Sequence, residues 1–485
     1  MDWILTLAVI FTYLFIVLFL GCFGGKGREK SVEEYVVGSR SFGPVLMYFM
    51  LGGSIFSAFS YLGAPAWAYS KGGAAFYILA YLSLGMVPWW LWGPLLSRIG
   101  RKYNYVSQAQ LFADRFQSKT LSVLIAIVCV IASVQYVTLQ MKGGGYIFEL
   151  ASGGRIPFWA GALIGYLIVI VYVFVGGVRG IAWVDICHST LKVGTAWVLG
   201  LYVVFKLYGG PTNMFEQIIA AKPTHLLIGP GTAINFAEYT TIVLVSVLGF
   251  TMWPHLFMRA YAAKSEKVLK KTIVLYPTFA IFLVPILFIG FAGILKVSPD
   301  KLGSADRILP YMFTSMNLSP FVAGIILAAA LSAAMSTQDS ITHTAATIFV
   351  QDFLEVFRKQ KHTGKEAAIR IRIFVIVFGL VAYSVAIFGG QSLVELLLGA
   401  FGTMVQLLPL VLAVFYWPRA TRAGAIAGFL TGAIVNNLVV FHVIPNPWHI
   451  NAGIQGLITN MLALVIVSLL TKPMDLQHVR RFTDV

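Results

Sequence analysis

Apolar residues run through this chain in stretches of about 20, long enough as α-helices to cross a bilayer core. Short polar or charged connections separate them, so the pattern predicts a bundle of membrane-spanning helices. About thirteen are expected by that length criterion, over residues 2–22, 44–70, 75–98, 119–147, 157–177, 180–207, 236–261, 272–296, 319–356, 372–390, 391–416, 421–443 and 452–471. The second differs from its neighbours. Its segment LGGSIFSAFSYLGAPAWAYS, residues 51–70, carries Gly52, Gly53, Gly63 and Pro65 among the hydroxyls of Ser54, Ser57, Ser60 and Tyr61. Pro65 has no N–H and its ring crowds the preceding turn, so an interrupted helix is expected. Unpaired backbone at membrane depth persists only where protein covers it or a watery cavity meets it. The interruption therefore marks a place for bare carbonyls to meet a solute or an ion.

The seventh stretch repeats the device, with Ser246, Gly249 and Pro254 inside the apolar run. Five stretches counted from each give two halves, 44–207 and 236–416, of opposite membrane orientation. Paired interrupted helices in matching places of inverted halves point to the binding site of a secondary transporter. A first helix and loop, 1–43, precede the halves, and two helices with a tail, 417–485, follow them. The longest connections, 99–118, 208–235 and 297–318, are too short for a soluble domain. The apolar spacing of 99–118 predicts a helix lying along the cytoplasmic membrane surface.

Composition agrees with this pattern. Of 485 residues 58% are hydrophobic and 11% charged, with mean hydropathy +0.82, which excludes an ordinary soluble domain. The net charge of +16 raises nucleic acid as a partner, but the cations follow topology instead. Odd-numbered connections hold 26 Lys and Arg against 7 in the even ones, which places the odd connections in the cytoplasm, the N-terminus outside and the C-terminus inside. The first stretch lacks a basic leader and a small-residue cleavage site, so it is expected to be retained. Cys22, Cys129 and Cys187 have neither disulfide nor zinc spacing. No paired-histidine helix and no nucleophile–base pair suggests an enzyme.

Chemistry gathers on two stretches. In the ninth, small residues at 328–330 and 332–334 let a neighbouring backbone approach, and Ser336 and Thr337 then offer hydroxyl oxygens. Oxygens of this kind suit a hard cation, or they bond their own helix. In the sixth, Asp185, His188 and Lys192 share one helical face, where ionisable groups mark an ion or proton path. The alternative is an interfacial cluster in which a snorkelling Lys192 pairs with Asp185. His255 and His343 are expected to be structural. Polar groups within reach of the break are Ser57, Ser60, Gln135, Ser246, Trp253 and Gln406, each a candidate for solute binding or for packing.

The run LSAAMSTQDS, residues 331–340, followed by Asp352, resembles the signature helix of the sodium:solute symporter family. Gly38-Ser39-Arg40-Ser41, Ser57–Pro65, the segment from Gly176 to Asp185, and Trp253-Pro254-His255 with Arg259 fall in the family's order. The resemblance implies an all-α polytopic membrane protein of the leucine-transporter type, a five-plus-five inverted repeat with two broken helices. It also implies Na⁺ as coupling ion, held by the carbonyls of Gly53, Phe56 and Ala333 and the hydroxyls of Ser336 and Thr337. Asp185 matches the acidic residue on the ion's exit path. Ile55 departs from members with a polar residue there. The implied function is symport of a small organic solute in the plasma membrane, with the flavour of pantothenate, monocarboxylate or proline carriers. The alternatives are a proton-coupled carrier using Asp185 and His188, or a non-transporting sensor on the same fold. Partners beyond solute, sodium and lipid are not expected.

Overall fold

The computed structural model describes residues 3–25, 31–316, 318–358, 364–389, 393–447 and 449–485. Lys26, Arg28, Lys30, Lys359 and Lys361, five of the cations in the basic connections, lie outside them. Among the described residues the chain is helical, and the one extended pairing is an isolated bridge between Phe42 and Ala263. Among the described residues ten helices are long and apolar enough to cross a membrane, eleven when the bent pair Phe236–Met252 and Pro254–Ala262 counts as one.

The gap between these numbers and the thirteen predicted stretches has a physical cause. Phe158–Tyr208 is a helical run of 51 residues. Straight, it would measure about 76 Å at 1.5 Å per residue, more than twice a hydrocarbon core. It turns instead at Gly177, whose φ of 51° and ψ of −151° suit only a residue without a side chain. This run thus holds the fifth and sixth stretches. Phe59–Lys102 likewise joins the end of the second stretch to the third through Gly72, at φ 58°.

At the centre stands Pro320–Ile348, buried without interruption from Ala328 to Ile348. We call it the serine helix. Its alanines admit close neighbours, and it packs against Trp3–Gly24, Lys119–Ala151 and Phe158–Tyr208. The outer helices turn large apolar side chains outward, as Phe388 and Leu470 do with 87% and 81% exposure, which is the surface expected toward lipid tails.

The broken helix is interrupted, but not where Pro65 led us to expect. Pro44–Ile55 ends at Phe56 and Ser57, about two turns earlier, and a wide turn over Phe59–Gly63 leads into Ala64–Lys71. Pro65 sits in the first turn of that second half, where a missing N–H does little harm. Two donors freed by the break find local partners. Ala58 N donates to Gln140 Oε1 at 2.8 Å, and Phe59 N donates to the Ser57 hydroxyl at 3.2 Å.

The seventh stretch bends by 50° at Trp253. Residues 99–118 depart from expectation: Gln108–Arg115 turns its apolar face into the protein. Ser107 Oγ donates to Asp352 Oδ1 at 2.8 Å and Gln108 Nε2 to the Met252 carbonyl at 2.9 Å, so polar bonds to two core segments hold the helix inward.

Candidate functional site

A helix that stops in mid-core leaves carbonyls without their usual donors. At this break they face Lys192, on the part of Phe158–Tyr208 that follows Gly177. Its ammonium donates to the Gly53 carbonyl at 2.7 Å, the Phe56 carbonyl at 3.0 Å and the Ser336 hydroxyl at 2.8 Å. An ammonium has three donors, and all three are used. The single Ser336 hydroxyl proton has Gly53 O as its nearer acceptor, at 2.8 Å, with Ala333 O the longer alternative at 3.2 Å. Thus the break and the serine helix touch, and three oxygens of the expected sodium set meet at one cation, which is the chain's own. The other two stand apart. Ala333 O takes part only through Ser336, and the Thr337 hydroxyl is buried without a hydrogen-bond partner among the described residues.

Close approach makes this convergence possible. A side chain on Gly53 would begin 2.6 Å from Asp185 Oδ1, so only glycine lets the two helices come this near. The Tyr61 hydroxyl, from beyond the break, donates to the backbone carbonyl of Lys192.

Asp185, His188 and Lys192 are all fully buried on one face, turned into the core and not to the interface. The interfacial pairing of Lys192 with Asp185 is not what forms. The lysine reaches the broken helix, whose bare carbonyls need donors, and neither oxygen of Asp185 has a hydrogen-bond partner among the described residues. His188 Nδ1 meets the Tyr13 hydroxyl. One turn further along the serine helix, Asp339 Oδ2 accepts from the Tyr172 hydroxyl at 2.7 Å and Ser340 Oγ accepts from Arg259 at 2.9 Å. His343 Nε2 lies 3.0 Å from the Tyr35 carbonyl, a structural bond. Among the described residues no cluster of His, Cys, Asp and Glu could hold a metal ion, and Cys22, Cys129 and Cys187 are free thiols.

The candidates for solute binding divide. Ser60, Ser246 and Trp253 are buried with their polar atoms unpartnered among the described residues, and so is Gln135 Oε1, so these groups are open to a ligand. Ser57 Oγ accepts from Phe59 N, and the Tyr136 ring centroid lies 4.7 Å from that of Trp253. Gln406 is engaged elsewhere, its Nε2 donating to the Gly402 and Gly453 carbonyls at 3.0 Å each. Gln140, Tyr136, Asp339 and the direction of Lys192 were missed in the sequence. Only the last left a signal, a lysine deep in an apolar stretch.

Comparison with known proteins places this geometry. The family model described as Sodium:solute symporter family matches residues 35–432. The chain is 33% identical over 479 residues to the uncharacterized symporter YhjB of Bacillus subtilis, covering 96% of this chain and 97% of that one. It is 28% identical over 488 residues to a sodium/proline symporter of Staphylococcus aureus, covering 96% and 93%. Among solved structures, a substrate-bound, outward-open Na⁺-coupled sialic acid symporter superposes with a TM-score of 0.82 at 21% identity, over 97% of this chain and 99% of the other. That likeness establishes the fold, the leucine-transporter type. With helices that cross a bilayer, a matching family model over most of its length and a relative at one-third identity, the chain is an integral membrane protein of the sodium:solute symporter family.

Proposed function

We propose that this protein is a secondary active transporter that carries a small organic solute in symport with a cation, by alternating access. The solute classes are a monocarboxylate, pantothenate or an amino acid. Sodium is the coupling ion of its family. The moving parts are the halves 44–207 and 236–416, with the broken helix and the bent Trp253 segment at their junction. The membrane is the plasma membrane, with the N-terminus outside and the C-terminus in the cytoplasm. Cysteine introduced at Val485 should label only from the cytoplasmic face; labelling from outside reverses this orientation.

One observation carries the reading: carbonyls of a helix broken in mid-core and a hydroxyl of the central helix converge on a single positive charge. Charge held there ties the two elements together, and a transported cation that favours one of their arrangements biases the same junction. Coupling follows when the conformation so stabilised is also the one the solute prefers, because a ligand shifts an equilibrium only by its differential affinity. Unpartnered Ser60, Ser246, Gln135 and Trp253 supply polar contacts for the solute near the same junction, and Asp185 behind Gly53 offers a charge on the ion's path.

The test is a panel of labelled solutes in proteoliposomes under an inward sodium gradient, an inward proton gradient, or neither. At least one solute should accumulate above equilibrium under one gradient and not without it. Equilibration alone, for every solute and gradient, would refute symport.

A further inference from the structure

An ion site at membrane depth needs oxygens with lone pairs that the helices leave unused. Between the broken helix and the serine helix that surplus is taken up by a side chain. Gly53 O accepts from both Lys192 Nζ, at 2.7 Å, and Ser336 Oγ, at 2.8 Å, which engages both its lone pairs. Phe56 O and Ser336 Oγ accept the other two protons of the ammonium. Lys192 is 0% exposed, and a charge so buried persists only when hydrogen-bonded or paired. Here all of its donors are bonded.

The base of the lysine is held as firmly as its tip. Tyr61, beyond the break, donates to the Lys192 carbonyl, while Gly53 and Phe56, before the break, receive its ammonium. The residue therefore clasps both halves of the broken helix and the serine helix together, the task an ion would perform. Asp185 and Asp339 are carboxyls of the same cluster, and neither hydrogen-bonds the lysine. His188, Arg259 and the hydroxyls of Tyr13, Tyr61 and Tyr172 also face this cluster.

We infer that Lys192 is the resident cation of this site, its ammonium standing where the family resemblance assigns a sodium ion, so that these oxygens do not bind sodium. A free ion on the same oxygens would sit within a hydrogen-bond length of a like charge and would take its lone pairs from the lysine's own donors. The oxygens can serve one cation or the other. Any sodium that drives the wild-type protein must then bind elsewhere. The inference rests on the symport reading for its consequence in transport, but not for its test on the purified protein.

The first measurement is thermal unfolding of the purified protein in sodium chloride and in choline chloride at equal ionic strength. A ligand that binds only the native state raises the midpoint, so sodium occupancy is read directly. Wild type should show no sodium-specific rise that depends on Ser336. Lys192→Ala and Lys192→Met should each gain a sodium-specific rise that is lost again when Ser336→Ala is added. A sodium-specific rise in wild type that Ser336→Ala abolishes would overturn the inference, and this comparison needs no lysine variant to fold. Failure of every solute to accumulate would sink the symport reading alone, since the unfolding data still decide what occupies the site.

Discussion

The two interrupted helices are built from the same materials and end up different. Each sets serine, glycine and proline inside an apolar stretch, and each bends in the middle of the protein. At Phe56–Ser57 the neighbours are polar: Lys192 and Ser336 at the carbonyls, Gln140 at the freed amide of Ala58. At Trp253 the rings of Tyr136, His255 and Phe401 lie 4.7, 5.9 and 5.6 Å away, and a polar bond beside them runs from Gln108 to the Met252 carbonyl. Phe56 at the first break also meets rings, those of Phe279 and Phe282, but its carbonyl is met by charge. A break in a membrane helix becomes a cation site only when a facing helix supplies the matching charge or lone pairs. Otherwise it becomes a corner packed with aromatic surface, better suited to the body of an organic solute.

Substitutions can break that contrast, and the largest effect is expected at Gly53. In Gly53→Ala the new Cβ would lie 2.6 Å from Asp185 Oδ1 and 2.7 Å from its Cγ, so the helices must part. Overpacking of this kind destabilises by about 1–3 kcal/mol, and the Gly53 carbonyl also moves from Lys192. The unfolding midpoint and solute uptake should fall together; normal values of both would mean that the close approach does not matter.

Next comes Gln140→Leu, which removes the acceptor for Ala58 N. A buried donor left without a partner costs about 1–3 kcal/mol, so the protein should melt earlier. If the midpoint does not move, the break is held by other contacts.

The smallest effect on stability is expected at the aromatic corner. Trp253→Phe keeps a ring against Tyr136 but removes part of a buried indole, together with an N–H that has no partner among the described residues. The small cavity left should cost about 1 kcal/mol. A rise in the KM for solute beyond what that loss of stability brings would assign Trp253 to the solute; unaltered uptake would leave it as packing.

Much of the architecture was legible along the chain, for reasons that can be named. Length and hydropathy place the spans, because lipid leaves a helix no alternative way to satisfy its backbone. The swap of one straight run for two at Gly177 was visible as a boundary between stretches, since 51 residues cannot cross one bilayer unturned. The break near residue 56 was expected but ascribed to Pro65, because a proline announces itself in a sequence and the pull of a facing lysine does not. The helix 108–115 was expected on the membrane surface, and its hydrogen bonds to Asp352 and Met252, distant in the chain, draw it inward. Polarity alone leaves Gln406 a candidate for solute binding or for packing, and its amide joins two helices through Gly402 and Gly453.

What the sequence determined by itself is the membrane-spanning, all-helical class and the two interrupted stretches, with Asp185, His188 and Lys192 on one face of the sixth. Periodicity and hydropathy are local properties, and each of these features follows from residues within a few turns of one another. What only the tertiary structure decided is where that face points. Lys192 looks from the sequence like a partner for Asp185, on the same helical face. Packing sets it against carbonyls 136 and 139 positions earlier and a hydroxyl 144 positions later. The strength of a buried charge depends on which lone pairs surround it, and that environment exists only once three distant helices have met.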